Sequence, residues 1–467
     1  MERARSGPTA MVSVRSARCV LDWRSAVRAL LGPLLAAWFG AALLGGAWAQ
    51  AAAGEAVPGG AVDRAFERTF EAAVAIVREH YWDADHLAWD AWAAEHREAA
   101  AAAPDRAAFD AVMRRLLREL DDDHSTWLGV SASTDGNAPT DVGPGPPRLG
   151  VQFGFAPGRG LVVERVYPSS PAAAVGLRRA DVVVAVGGAP LGGFGSVFEA
   201  DGALRRALEA GPATLTVERR RVRLEVEVVA ESVPFAAIAG APHGHMLDER
   251  TGYLAVPSFN GAGVAASAHA ALAGLIEAGA VTLVLDVRGN LGGRLLEAGA
   301  LLGAFLDGTW ADAVARGAPA WTAQVVREGD ALLSRLVSAD GTVMAQSVVP
   351  GAAVWRGPLV VVVGAETVSA GELVALALQD GGRARVVGEP TAGNVEAVQG
   401  FTLPDGSRLL LAVADLRGPN GLAYAAGVVP DVVSRAEPGD LARGLDAPVN
   451  EARRLLGGLP FTPDRRF

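Results

Sequence analysis

At 467 residues, half of them apolar, the chain can bury several cores, which sets an expectation of about three domains and excludes a small peptide or a wholly disordered protein. A net charge of −10 with no long basic run leaves no electrostatic footprint for a phosphate backbone, so no nucleic acid partner is expected. All 42 cationic side chains are arginine and none is lysine, as biased coding toward Ala, Gly, Val and Arg would give, and any mechanism that needs a lysine amine is excluded.

The N-terminus reads as an export signal over residues 1–49. Arg3, Arg5, Arg15, Arg18, Arg24 and Arg28 precede an uncharged run from Ala29, and Ala47-Trp48-Ala49 has the small-x-small form of a cleavage site before Gln50. Left uncut, Ala29 to Ala49 is long enough to span a bilayer, so a membrane anchor is the competing reading. Both readings put the body outside the cytoplasm, periplasmic or secreted. Cys19, the only cysteine, precedes the apolar run and would leave with the signal, so the mature chain is expected to have no disulfide and no cysteine metal site.

A helical domain is predicted over residues 60–130. Phe66, Phe70, Val74, Val77 and Tyr81 recur at helical spacing behind Asp63, a candidate N-cap. A second amphipathic helix starts at Pro104-Asp105 and carries Phe109, Met113, Leu116 and Leu120 on one face. Residues 131–147, rich in Gly, Pro, Ser and Thr, have the makeup of a linker.

Over residues 149–230 short β runs (Leu161 to Val166, Val182 to Val186, Leu215 to Val217, Leu224 to Val228) alternate with glycine turns and one short helix near Pro171. Over residues 250–440 apolar strands alternate with helices: Val281 to Val287, Arg294 to Leu306, Leu359 to Val363, Ala370 to Gln379. Strands without polar alternation, each followed by a helix, indicate an α/β unit whose sheet is buried on both faces.

Three segments have the residue types for chemistry. Thr367-Val368-Ser369-Ala370-Gly371-Glu372 puts a hydroxyl at a strand-to-helix turn, where free helix N–H groups can hold an oxyanion; Ser369 and Glu372 also form a capping-box pattern that could do no more than close a helix end. Asp286-Val287-Arg288-Gly289-Asn290-Leu291-Gly292-Gly293 follows a buried strand, and its paired glycines let backbone N–H groups approach a ligand or simply make a tight turn. Asp121-Asp122-Asp123-His124-Ser125 sets acids against a helix C-terminus and adds a histidine, the side chain suited to act as base near neutral pH; a solvated helix end with a surface histidine would read the same way. His243 and His245 lie in a Gly/Pro loop, and His80, His86, His96 and His269 stand singly on predicted helices, so no metal site and no cofactor is expected.

Taken in order, these segments resemble the C-terminal processing, or tail-specific, serine protease family, which includes the core of tricorn protease. Further parts of the resemblance are Ser170-Pro171-Ala172-Ala173-Ala174-Val175-Gly176-Leu177, which is PDZ-like, Gly252-Tyr253-Leu254 with Phe259, Gly388-Glu389-Pro390-Thr391-Ala392-Gly393, and Gly427-Val428-Val429-Pro430-Asp431. The resemblance implies a helical N-terminal domain, a PDZ-like β domain and an α/β core similar to Clp protease and crotonase. It implies Ser369 as nucleophile, with the N–H of Ala370 and one from Gly292 or Gly293 as oxyanion hole. It also implies a substrate with an apolar C-terminus, received by strand addition at Leu149, Gly150 and Val151.

The family's commonest base is a lysine, and its position looks like Asn394 here. Arginine stays protonated and cannot replace it. His124 matches the histidine of tricorn-like members and is the expected base, with Glu396 as its orienting acid on chemical grounds; tricorn's own acid falls at Tyr424. Two rivals stand beside the peptidase: a pseudoprotease that only binds peptide tails, and an acyl-CoA enzyme, for which no nucleotide site is found.

Overall fold

The computed structural model describes residues 62–457 apart from 84–86, 121, 123, 131–148, 169, 232–240, 392 and 394. The expected signal segment with Cys19, the linker, His86, Asp121, Asp123 and Asn394 lie outside the described residues.

Three helices open the described chain: α1 (Val62–His80), α2 (Trp89–Ala101) and α3 (Arg106–Arg118). The Asp105 side chain caps α3 by accepting from the Ala108 N–H at 2.8 Å. Phe66 stacks on Phe109 with ring centroids 4.5 Å apart, and Phe70, Val77, Met113 and Leu116 are buried around them. Each such side chain contributes about 1.5–3 kcal/mol by leaving water. The same core takes in Leu409 and Leu411 from far along the chain, so the helices are fastened to the third unit. Strand β1 (Thr126–Val130) follows them.

The second unit comprises β2 (Val151–Ala156), β3 (Gly160–Val166), a helical turn at Pro171–Ala174, β4 (Val182–Val186), β5 (Ala189–Pro190), α4 (Val197–Glu209), β6 (Ala213–Arg219) and β7 (Val222–Val228). Its antiparallel sheet has the order β2-β3-β4-β6-β7, with β2 at one edge. Helix α4 is new relative to the sequence reading. Its signal was present: the Ser196 hydroxyl accepts from the Glu199 N–H at 3.2 Å, and Ser-x-x-Glu is a helix-start pattern.

The third unit runs β8 (His243–Met246), β9 (Thr251–Ala255), α5 (Val264–Glu277), β10 (Thr282–Asp286), α6 (Leu295–Leu302), β11 (Gly308–Ala315), β12 (Ala318–Glu328), β13 (Ala331–Ser338), β14 (Val343–Val349), β15 (Leu359–Val363), α7 (Ala370–Asp380), β16 (Arg385–Gly388), β17 (Ala397–Thr402), β18 (Ser407–Arg417), β19 (Val432–Val433) and α8 (Ala447–Leu455). One sheet has the order β19-β16-β15-β10-β9-β8, parallel except for β8. Leu283, Leu285 and Val361 face α5, α6 and α7, while Val284, Val360 and Val362 face Val449 and Ala452 of α8. Both faces are covered, which is why these strands read as unbroken apolar runs.

A second sheet has the order β1-β18-β11-β12-β13-β14, with β17 also on β18. The meander β11 to β14 was not foreseen. Among the described residues no helix is long and apolar enough to cross a membrane.

Candidate active site

Strands β10 and β15 lie side by side and parallel, with Asp286 opposite Val362, so the loops that follow them meet at one edge of the sheet. That edge is where α/β sheets gather ligands. The loops brace each other: Thr367 Oγ1 donates to the Val287 carbonyl at 3.0 Å, and the Val368 N–H donates to the Asn290 carbonyl at 2.9 Å. Below them Arg288 joins Asp286 (2.6 Å) to Asp446 (3.0 Å). Burial alone would raise the Asp286 carboxyl, but the Arg288 guanidinium outweighs it and lowers it to about 2.

Ser369 is 7% exposed and has φ 55° and ψ −123°, left-handed backbone for a residue with a side chain. Such a conformation costs on the order of 1–3 kcal/mol, here at the residue that caps α7. Glu372, fully buried, offsets it: its Oε2 accepts from the Ser369 N–H at 2.9 Å, and its Oε1 accepts from the Gly393 N–H at 2.8 Å and from the Thr391 hydroxyl. The carboxylate half of the capping box therefore ties the serine turn to the turn at residues 391–393.

Gly292 has φ +90°, and a Cβ built on it would lie 2.8 Å from Ser369 Cβ and 3.1 Å from both Ser369 Oγ and the Ala370 nitrogen. Glycine leaves that space open beside the serine hydroxyl. The Gly292 N–H is engaged, donating to Asn290 Oδ1 at 2.8 Å. Gly293 bridges Phe259 in parallel fashion through its neighbours, since Phe259 N–H bonds the Gly292 carbonyl (2.9 Å) and Arg294 N–H bonds the Phe259 carbonyl (3.0 Å). The Gly293 N–H consequently faces away from Phe259, and the backbone N–H groups at the start of α7 lie at its positive end. Asn290, fully buried, holds the Gly292 N–H and was not singled out from sequence.

His124 is not on the surface; it is 1% exposed, with Nδ1 2.9 Å from Glu396 Oε2. Asp122 Oδ1 accepts from the N–H groups of His124 (2.8 Å) and Ser125 (2.5 Å), and Ser125 Oγ accepts from Ala412 N–H of β18 at 3.1 Å. Glu396 directly precedes β17, whose Ala397 lies opposite Ala414 of β18. Neighbouring positions of one strand thus hold the histidine and the acid together. Gly393, three residues before Glu396, is bonded to Glu372 and so to the serine turn. No hydrogen bond joins Ser369 Oγ to His124 among the described residues. Tyr424 is elsewhere: it is fully buried and its hydroxyl donates to the Trp310 carbonyl at 3.1 Å.

Two single histidines prove to be bonded within the fold: His96 Nε2 lies 2.9 Å from Glu119 Oε1, and His269 Nε2 lies 2.9 Å from the Ala300 carbonyl. The loop expected to receive substrate heads the edge strand β2. The Leu149 carbonyl accepts from Ala172 N–H at 2.9 Å, the carbonyl of Gly150 (φ +71°) accepts from Tyr167 N–H at 3.1 Å, and Val151 begins the strand.

The sequence pattern described as peptidase family S41 matches residues 250–434, and that of a PDZ domain matches residues 162–219. The chain is 32% identical over 343 residues to the chloroplastic C-terminal processing peptidase of Tetradesmus obliquus, covering 69% of this chain and 67% of that one. It is 32% identical over 276 residues to a carboxyl-terminal-processing protease of a Picosynechococcus species, covering 58% and 60%. Its fold is similar to that of a photosystem II D1 C-terminal processing protease, with TM-score 0.53 and 22% identity, covering 81% of this chain and 97% of that one.

Proposed function

The chain belongs to peptidase family S41 and is a serine-type peptidase with a PDZ domain, and we propose that it cleaves unfolded or C-terminally marked polypeptides through an acyl-enzyme on Ser369. The observation that carries this reading is Glu396 lying 2.9 Å from the buried His124 in a chain that has no lysine. Glu396 fixes the tautomer of His124 by holding Nδ1, so that Nε2 takes the Ser369 proton as the hydroxyl attacks the scissile carbonyl. The imidazolium then returns that proton to the leaving amine, and water cleaves the acyl-enzyme by the same route. The N–H groups of Ala370 and Gly293 hold the oxyanion. Relatives named as processing peptidases give the non-catalytic scaffold no support.

The polypeptide's apolar C-terminal tail adds to the β2 edge beside Leu149, Gly150 and Val151. The signal read over residues 1–49 argues for action outside the cytoplasm, which cell fractionation tests. For the peptidase itself, an unfolded fluorogenic polypeptide ending in apolar residues is compared with its C-terminal amide. Wild type is expected to cut the free acid at least about tenfold faster, as loss of a charge-assisted contact implies, and Ser369→Ala to cut neither. Equal rates would remove the tail from the account, and turnover by Ser369→Ala would remove the nucleophile.

A further inference from the structure

The outward edge of β2 is already occupied. Along a strand alternate N–H groups face opposite ways, and because the Gly150 carbonyl faces β3, the N–H of Phe153 faces away from the sheet. That N–H donates to Glu366 Oε2 at 3.0 Å. Glu366 stands three residues before Ser369, in the turn joining β15 to α7. Its neighbour Ala365 packs against the apolar core of the PDZ unit. On the far side, Asp201 and Arg205 of α4, paired at 2.6 Å, both act electrostatically on the Glu366 carboxylate.

A small apolar side chain against the core and a carboxylate on an edge-strand N–H, between a strand and a helix, is the chemistry a peptide C-terminus offers in strand addition. Strand β2 also touches the other active-site loop, since a Cβ on Gly289 would lie 2.9 Å from Gln152 Cγ. We propose that Ala365-Glu366 is a built-in ligand of the groove between β2 and α4, which a polypeptide tail must displace, so that tail binding frees the turn that carries Ser369. The inference rests on the reading that this groove receives the tail. Because both ligands claim the Phe153 N–H, the coupling is reciprocal: what weakens Glu366 strengthens the tail. Burial, and then Asp201, raise the Glu366 carboxyl well above the ordinary carboxylate range, against the pull of the Phe153 N–H and Arg205. Part of the cost of holding it there is released when it moves into water.

The test is fluorescence anisotropy of a labelled decapeptide with three apolar C-terminal residues, titrated with the full chain carrying Ser369→Ala so that nothing is cut. Adding Glu366→Ala is expected to tighten binding about tenfold, the equivalent of one hydrogen bond, while Glu366→Gln, which keeps an acceptor oxygen, stays within about threefold of the parent. Equal affinity of the parent and Glu366→Ala overturns the built-in ligand. No binding by either overturns the tail-binding reading, and this inference with it. A second readout needs no change at residue 366: in the wild-type chain, saturating peptide is expected to change the rate at which a fluorophosphonate labels Ser369. A rate indifferent to bound peptide overturns the coupling.

Discussion

Glu396→Gln is expected to lower kcat/KM on an unfolded polypeptide by on the order of 10³–10⁴-fold with KM little changed. The carboxylate lies 2.9 Å from His124 Nδ1, and in the proposed mechanism it accepts the ring proton and stabilises the imidazolium formed as Ser369 attacks. An amide is close to it in shape but neutral, and its NH₂ can face Nδ1 and favour the tautomer whose Nε2 already bears a proton. That tautomer cannot take the serine proton. The effect belongs to the transition state, so it appears in kcat. Steady-state kinetics check it, and a loss under about tenfold would mean that another group orients the base.

Gly292→Ala is expected to cost kcat at least about 10²-fold, as loss of one oxyanion-hole donor does. The added methyl would lie 2.8 Å from Ser369 Cβ and 3.1 Å from the Ala370 nitrogen, filling the space an oxyanion needs, and φ of +90° adds backbone strain on the order of 1–3 kcal/mol. Gly274→Ala is the matched control. That glycine lies within α5, has nothing within 4 Å of its built Cβ, and should gain a little helix stability while leaving kcat intact. Kinetics with thermal unfolding separate the two, and a Gly292→Ala protein with normal kcat would place the oxyanion elsewhere.

The serine turn and the glycine loop were legible because each follows a fully buried strand, whose apolar run marks where it stops and a ligand edge begins. Glu396 was named from the needs of a histidine base, without any motif, and it lies 2.9 Å from His124 Nδ1. The alternative of a surface histidine fails for His124, which is buried, and the pairing of the next residue, Ser125, with Ala412 of β18 leaves no trace in the local sequence. The role of Glu366 was hidden for the same reason, its partner Phe153 being on another domain. The β11 to β14 meander could have been found: Arg316-Gly317 (φ 51° and 73°) forms a turn between β11 and β12, and Gly329 (φ 65°) and Gly341 (φ 87°) punctuate the strands after it. Its alternation was diluted by alanine, and the register shifts between Thr309 and Ala311. That the Gly292 N–H is engaged depends on the Asn290 side chain, which only the folded loop aims at it.

The central claim is an activated Ser369 whose base is His124, and covalent labelling by a fluorophosphonate tests it most directly, since it needs no knowledge of the substrate. Wild type is expected to label at one site, Ser369→Ala not at all, and His124→Ala on the order of 10²–10⁴-fold more slowly, the contribution of a general base. Labelling that persists at the wild-type rate in His124→Ala would contradict the account.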